Sequence, residues 1–208
     1  MSRKIVGIIK SMYVNTRAKY KLGEMETDWV RSERGVRQGC ILSPTLFSIY
    51  TEELAARIRR RNVGVNIGRE KICLLLYADD VVVMSESGEE LQDVLNMVNE
   101  YGNDFGVRFN QEKSNMIVNE SEEDRDKVWK IGRKELRKTN EYKYLGMWIS
   151  LNGYEQMKNE KVSLVNKWMG RLGSAARMRA CRFEVVREIW KSVAVPSVMY
   201  GMEIYALE

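Results

Sequence analysis

The chain has 208 residues, 44% of them hydrophobic, and a net charge of +5, which allows one domain core or one domain with a helical appendage. It contains no histidine, so His-based catalysis and the common Cys/His zinc sites are excluded within it. Three scattered cysteines, no bilayer-length apolar run and no signal-peptide core predict a soluble intracellular chain with reduced thiols and no membrane partner, nucleus and cytoplasm being indistinguishable.

Ile5, Ile8, Ile9, Met12 and Tyr13 recur at helical spacing and predict an amphipathic helix over residues 3–16, packed on a sheet. Residues 19–22 and 29–32 read as the arms of a hairpin around 23–28. Gly35 and Gly39 bracket Gln38 in a turn that lets backbone approach another molecule closely. Ser43-Pro44 is a helix start, with Ser43 as N-cap and Pro44 at the first helical position. Leu46, Tyr50, Leu54 and Ile58 then follow one face, and Arg57, Arg59, Arg60 and Arg61 suit the negative end of the helix. Free N–H groups at that helix start can meet a polyphosphate or a template strand. An ordinary loop-to-helix junction has the same sequence.

Residues 72–84 run apolar into Tyr77-Ala78-Asp79-Asp80 and apolar away from it. Such Leu- and Val-rich runs predict two buried strands, with Ala78-Asp79 as the tight turn between them. Asp79 and Asp80 then stand at the tip of a stiff ribbon, close to solvent. Adjacent carboxylates repel, and a divalent cation relieves the repulsion; magnesium favours one or two carboxylates plus substrate phosphates. Asp is also common in ordinary polar turns.

Ser87-Gly88-Glu89-Glu90 has capping-box spacing before a stripe of Leu91, Val94, Leu95, Val98 and Tyr101 ended by Gly102. Residues 107–110 and 115–118 predict two short strands, leaving Lys113 at the turn between them. Residues 119–138 are highly charged with mixed sign and predict a solvent-facing excursion. Residues 144–149 read as a strand turning on Gly146. From about Gly153 the pattern is helical. Val162, Val165, Met169 and Leu172 mark one helix; Phe183, Val186, Trp190 and Val193 mark a second, broken by Pro196 and followed by a helix start cut short. Between Met157 and Lys191, nine basic residues face three acidic ones, a charge of +6. Phosphate binding needs such an excess, and a solvated helix face also carries one.

Tyr77-Ala78-Asp79-Asp80 between two apolar runs resembles motif C of reverse transcriptases. Residues 35–44, Gly-Val-Arg-Gln-Gly-Cys-Ile-Leu-Ser-Pro, resemble motif B in the form carried by non-LTR (LINE-type) retrotransposons. Residues 106–114 are similar to motif D, and Tyr142-Lys143-Tyr144-Leu145-Gly146 to motif E, the primer grip. The four stand in the family's order and span nearly the whole chain. The resemblance implies an α+β fold: a partial polymerase palm over 1–150, its small antiparallel sheet packed on helices, then a helical thumb-like region over 151–208, truncated at its C-terminus. It implies RNA-directed DNA polymerisation by two-metal nucleotidyl transfer. Mg2+ is then the cofactor, and an RNA template, a DNA primer and deoxynucleoside triphosphates are the partners; no protein partner is indicated.

On the family's pattern Asp79 and Asp80 are catalytic metal ligands, and Lys113 lies near the departing pyrophosphate as a catalytic acid or electrostatic partner. Arg37, Gln38, Gly39, Ser43, Pro44, Tyr77 and Ala78 match positions that contact nucleotide or template, and Tyr144, Leu145 and Gly146 match the primer grip. Lys158, Lys161, Lys167, Arg171, Arg179, Arg182 and Arg187 would hold the template–primer duplex through its phosphates without reading sequence. The family's third aspartate belongs to motif A, and the resemblance begins after it. Asp28, the only aspartate before Arg34, falls in the predicted hairpin. The expectation is therefore an incomplete two-metal site and a chain inactive alone. The alternative is a non-catalytic nucleic-acid-binding remnant of a retrotransposon.

Overall fold

The computed structural model describes residues 2–32, 34–119, 127–177 and 183–205; Arg179 and Arg182 lie outside them. The Ser2 hydroxyl accepts the Lys4 N–H at 3.2 Å and opens α1 (Arg3–Tyr13). The packed side of α1 is Val6, Ile9, Met12 and Tyr13, all half-buried. Ile5 and Ile8 are 48% and 60% exposed, so the expected stripe is only partly covered and no residue of the helix is buried.

Next come β1 (Arg17–Ala18), β2 (Lys21–Leu22), β3 (Met25–Glu26) and β4 (Val30–Arg31), nested as β2–β3 inside β1–β4. Lys19 and Tyr20 on one arm oppose Thr27, Asp28 and Trp29 on the other, so the register slips by one residue. Thr27 bridges the slip: its N–H donates to the Tyr20 carbonyl and its hydroxyl accepts the Tyr20 N–H, both at 3.0 Å. The hairpin is longer than expected, and its turn is narrower, at Gly23-Glu24 with Gly23 at φ 61°.

In α2 (Ser43–Arg59), Leu54, Ala55 and Ile58 are buried, whereas Tyr50 is exposed, so only the second half of the expected face packs. The N-cap is Leu42, not Ser43. A short hairpin, β5 (Val65–Ile67) and β6 (Glu70–Ile72), leads to β7 (Leu74–Tyr77) and β8 (Asp80–Val83). The strands at motif C were expected to be buried. Instead β7 alternates, Leu74 and Leu76 half-buried and Leu75 and Tyr77 exposed, while in β8 Asp80 is exposed and Val81, Val82 and Val83 are half-buried.

Helix α3 (Gly88–Phe105) starts as half a capping box. The Ser87 hydroxyl accepts the Glu90 N–H at 3.2 Å, but the Glu90 carboxylate turns to the Ser85 hydroxyl at 3.1 Å. Within its stripe Val94 and Tyr101 are fully covered, Leu95 and Val98 nearly so, and Leu91 is half-buried. The helix does not end at Gly102. It runs to Phe105 and stops on Gly106, at φ 68°. Gly102 serves packing: a Cβ there would lie 2.8 Å from the Val107 carbonyl oxygen.

No strand forms over 107–110. The Asn110 side chain accepts the N–H of Glu112 at 3.2 Å and of Lys113 at 3.3 Å, and this local turn competes with extended pairing. Four short strands follow: β9 (Asn115–Met116), β10 (Lys130–Ile131), β11 (Lys134–Glu135) and β12 (Arg137–Lys138). β10 and β11 form a hairpin, and β12 pairs parallel with β9. Residues 128–138 are therefore not an excursion, since Trp129 is 2% exposed and Ile131 is buried.

The strand expected over 144–149 is a hairpin of β13 (Glu141–Tyr144) and β14 (Met147–Ser150) with a Leu145-Gly146 turn. Both turn residues have positive φ, 48° and 81°, as a two-residue hairpin turn of matching twist requires. Helix α4 (Glu155–Arg177) buries Met157 and Leu172, but Val162 and Met169 are exposed, so its seam is rotated from the expected stripe. Helix α5 (Phe183–Ile189) continues through one π-helical turn, Trp190–Ala194, into α6 (Val195–Met199); α7 (Met202–Tyr205) follows Gly201. Pro196 does not break the helix. It sits in the first turn of α6, after the widened turn, where a missing N–H matters least.

Among the described residues the strands form seven two-stranded ladders, six antiparallel and one parallel. The α+β class holds in this coarse form, with separate pairs in place of one continuous sheet. The chain divides into two compact units, Met1–Met97 and Val98–Glu208. No described helix is long and apolar enough to cross a membrane.

Candidate active-site residues

In the first unit the Tyr77-Ala78-Asp79-Asp80 stretch closes a hairpin whose register is Leu74 to Val83, Leu75 to Val82, Leu76 to Val81 and Tyr77 to Asp80. Ala78 and Asp79 form the turn, and Ala78 takes φ 51°, a left-handed conformation unfavourable for any residue with a Cβ. Asp80 shares the open face with Tyr77, and Asp79 occupies the turn itself. Both carboxylates are exposed, and neither has an ion-pair or hydrogen-bond partner among the described residues. Two hard oxygen donors so placed suit a magnesium ion that completes its shell with water and phosphate. Among the described residues no group of three or more His, Cys, Asp or Glu side chains gathers, so the tip supplies two donors and no third.

The 35–44 segment is knitted to itself. The Ser43 hydroxyl donates to the Arg37 carbonyl at 2.5 Å, the Ser43 N–H to the Cys40 carbonyl at 3.1 Å and the Cys40 N–H to the Arg37 carbonyl at 3.2 Å. Ser43 therefore clasps the loop instead of capping the helix. Arg37 is also structural. Its guanidinium hydrogen-bonds the Met12 carbonyl, reaches the Thr16 hydroxyl at 3.4 Å and lies 5.6 Å from the Tyr13 ring centre. Gln38 and Gly39 are left exposed at the turn; Gly39 has φ 79°, and a Cβ there would meet nothing of the chain. The Leu42 N–H holds the Cys40 thiol below its ordinary range, with Ser43 and the Arg37 charge adding and burial opposing.

In the second unit Lys113 sits exposed on the Asn110 turn, and its carbonyl accepts the Tyr142 hydroxyl at 3.5 Å. The Leu145-Gly146 turn is braced from the C-terminal helices. The Tyr200 hydroxyl donates to the Leu145 carbonyl at 2.8 Å, and a Cβ on Gly146 would lie 3.3 Å from the Tyr200 ring. The Tyr205 hydroxyl donates to the Trp148 carbonyl at 2.8 Å, and the Trp148 indole N–H to Glu160 at 2.6 Å. Lys143 pairs with the same carboxylate, and the two partners, Lys143 first, hold Glu160 below the usual carboxylate range. These groups line a cavity of about 210 Å³. Tyr200 and Tyr205 were missed from sequence because residues 197–208 resembled a helix cut short. Two isolated tyrosines carry no periodic signal.

The expected phosphate contacts diverge. Lys158 pairs with Glu155 at 3.5 Å and Arg187 with Glu188 at 3.5 Å, both exposed; Arg171 lies over the Trp168 ring. Lys167 is exposed. Lys161 is turned inward, its ammonium donating to the Tyr200 carbonyl at 2.7 Å.

Residues 2–149 match the model of the reverse transcriptase (RNA-dependent DNA polymerase) family. The chain is 30% identical over 157 residues, 71% of its length, to a retrovirus-related Pol polyprotein from type-1 retrotransposable element R2 of Nasonia vitripennis, covering 15% of that protein. It is 24% identical over its whole length to an RNA-directed DNA polymerase from mobile element jockey of Drosophila funebris, covering 23%. A second R2 polyprotein, from Popillia japonica, is 27% identical over 96% of the chain, which spans 32% of it. The chain thus spans under a third of each of these relatives. With the motif order, the paired carboxylates at a hairpin tip and a family match over residues 2–149, the chain belongs to the reverse transcriptase family, in the non-LTR retrotransposon branch to which R2 and jockey belong.

Proposed function

We propose that the chain is the catalytic and primer-holding part of an RNA-directed DNA polymerase, with Asp79 and Asp80 as its metal-holding carboxylates. The observation that carries this reading is the tip itself: two adjacent, exposed carboxylates, unpaired among the described residues, at the end of a stiff ribbon with a strained first turn residue. Magnesium bound there would supply charge stabilisation for the attacking and leaving oxygens of phosphoryl transfer. Asp79 and Asp80 would hold it from one side, and a two-ion site would need a further carboxylate from outside the tip.

The other residues divide the remaining work. The exposed Gln38 amide and the open Gly39 backbone face the nucleotide or template; Arg37 and Ser43 keep that turn in shape, and Pro44 starts the helix behind it. Tyr77 and Ala78 set the tip's open face and its turn. The exposed Lys113 ammonium neutralises or protonates the departing pyrophosphate. Tyr144, Leu145 and Gly146 present a braced turn to the primer strand. Lys158, Lys167, Arg171 and Arg187, with Arg179 and Arg182, bind duplex phosphates in a thumb-like role. Lys161 serves the internal brace instead.

The test compares the chain with an Asp79→Asn, Asp80→Asn double variant. Manganese binding is read by electron paramagnetic resonance, and primer extension is run on an RNA template. Tip-dependent manganese binding supports the reading, and extension lost only in the variant establishes catalysis. Equal manganese binding by both proteins overturns the assignment of the tip.

A further inference from the structure

The arm between the Lys113 turn and the β13–β14 hairpin has no part in the roles assigned above, yet it carries a strong positive excess. Residues 127–138 contain Lys127, Lys130, Arg133, Lys134, Arg137 and Lys138 against Glu135 alone. Their net +5 equals the charge of the whole protein, so the remaining residues sum to zero.

The arm is an ordered, anchored hairpin. Alternation sends Trp129 and Ile131 inward and leaves Lys130 exposed between them. The Leu136 N–H donates to the Trp129 carbonyl at 2.8 Å and extends the β10–β11 pairing. The Gln111 amide donates to the Ile131 carbonyl at 2.9 Å. Gly132, at φ 61°, turns the hairpin against α3; a Cβ there would sit 2.7 Å from the Asn99 side-chain oxygen. An arm already ordered loses little entropy when it binds a ligand.

The arm's own contacts sort its charges. Glu135 is taken by Lys130 at 3.2 Å, Lys134 leans on Glu112 at 3.4 Å, and the Lys138 ammonium lies 5.1 Å from the Trp129 ring centre. Arg133, at the tip, and Arg137, on β12, are exposed and have no ion-pair partner among the described residues. Arg137 is in register with Asn115, two residues beyond Lys113, so the arm and the Lys113 turn share one edge.

We propose that this arm is a second binding surface for the phosphate backbone of a nucleic-acid strand, with Arg133 and Arg137 as its contacts. The guanidinium fork matches phosphate oxygens in paired hydrogen bonds, a contact that positions a strand without reading its bases. This inference rests on the nucleic-acid reading above but is independent of the Asp79-Asp80 tip and of α4.

The experiment measures binding of the full chain to a labelled RNA–DNA duplex by fluorescence anisotropy, from about 50 to about 200 mM salt. An Arg133→Ser, Arg137→Ser variant is compared with a Lys158→Ser, Lys167→Ser, Arg171→Ser variant of α4. Loss of two phosphate contacts should weaken binding roughly tenfold and lower the salt slope by about two. A third variant, Glu135→Gln, removes the arm's one carboxylate without touching either arginine and should tighten binding. Unchanged affinity and slope in the arginine variant, with weaker binding in the α4 variant, would overturn the arm while leaving the nucleic-acid reading intact. Absence of duplex binding by the unaltered chain would overturn both.

Discussion

The Tyr200 hydroxyl donates to the Leu145 carbonyl across 55 residues of sequence, at 2.8 Å. Leu145 has φ 48°, a conformation that a branched side chain adopts only when its surroundings hold it there. Tyr200 is itself held, since its own carbonyl accepts Lys161. The turn proposed to meet the primer is thus positioned by the residue that caps α6. Tyr200→Phe should cost about 0.5–1 kcal/mol in chemical denaturation, the range for one partly exposed hydrogen bond. It should also speed amide exchange at Gly146 and Met147. Unchanged exchange at those two residues would show that the turn holds its shape without Tyr200.

The acid response of the second unit follows from Glu160. Its carboxyl lies below the usual range because Lys143 and the Trp148 indole N–H favour the charged form. A carboxyl lowered on folding contributes stability above its ordinary pKa and loses it as pH falls through the folded value. The Trp148 indole proton resonance should therefore hold steady down through about pH 5 and shift only below the ordinary carboxylate range. Glu160→Gln should abolish that shift, and a shift that persists in this variant would assign it to another group.

Ala78→Gly tests the strain at the paired-carboxylate tip. A Cβ in the left-handed region costs about 1–2 kcal/mol, partly offset by the extra chain entropy of glycine. The substitution should raise stability by up to about 1 kcal/mol, read as a higher denaturation midpoint at unchanged slope. A lower midpoint would mean that Ala78 is unstrained.

Two effects of opposite sign meet at Gly102. Alanine there should gain about 1 kcal/mol of helix propensity. Its Cβ would lie 2.8 Å from the Val107 carbonyl oxygen, a backbone atom fixed by the Gly106 reversal. Overpacking against fixed backbone costs about 1–3 kcal/mol and should win. Gly102→Ala is expected to lower the thermal midpoint, whereas Gly170→Ala, where the space is open, should raise it.

Local chemistry in the chain was enough to place the Ala78-Asp79 turn, the α3 stripe from Leu91 to Tyr101 and the Ser87 cap, because each depends on residues within a few positions of one another. The candidate carboxylates were legible for the same reason. Where partners come from afar, the sequence was silent. Lys161 has the charge of a phosphate contact, yet Tyr200, 39 residues away, takes its ammonium. Val162, Val165, Met169 and Leu172 have helical spacing, but only Val165 and Leu172 pack while Val162 and Met169 stay exposed. The basic arm was hidden by its neighbour: residues 120–126 hold five acidic residues and one basic one, and nearly cancel the arm in any window that spans both. Residue type and spacing by themselves determined the motifs, the Ala78-Asp79 turn and the family. Only the tertiary structure decided which cations are free and which turns are braced, because burial and pairing depend on segments that sequence distance does not bring together.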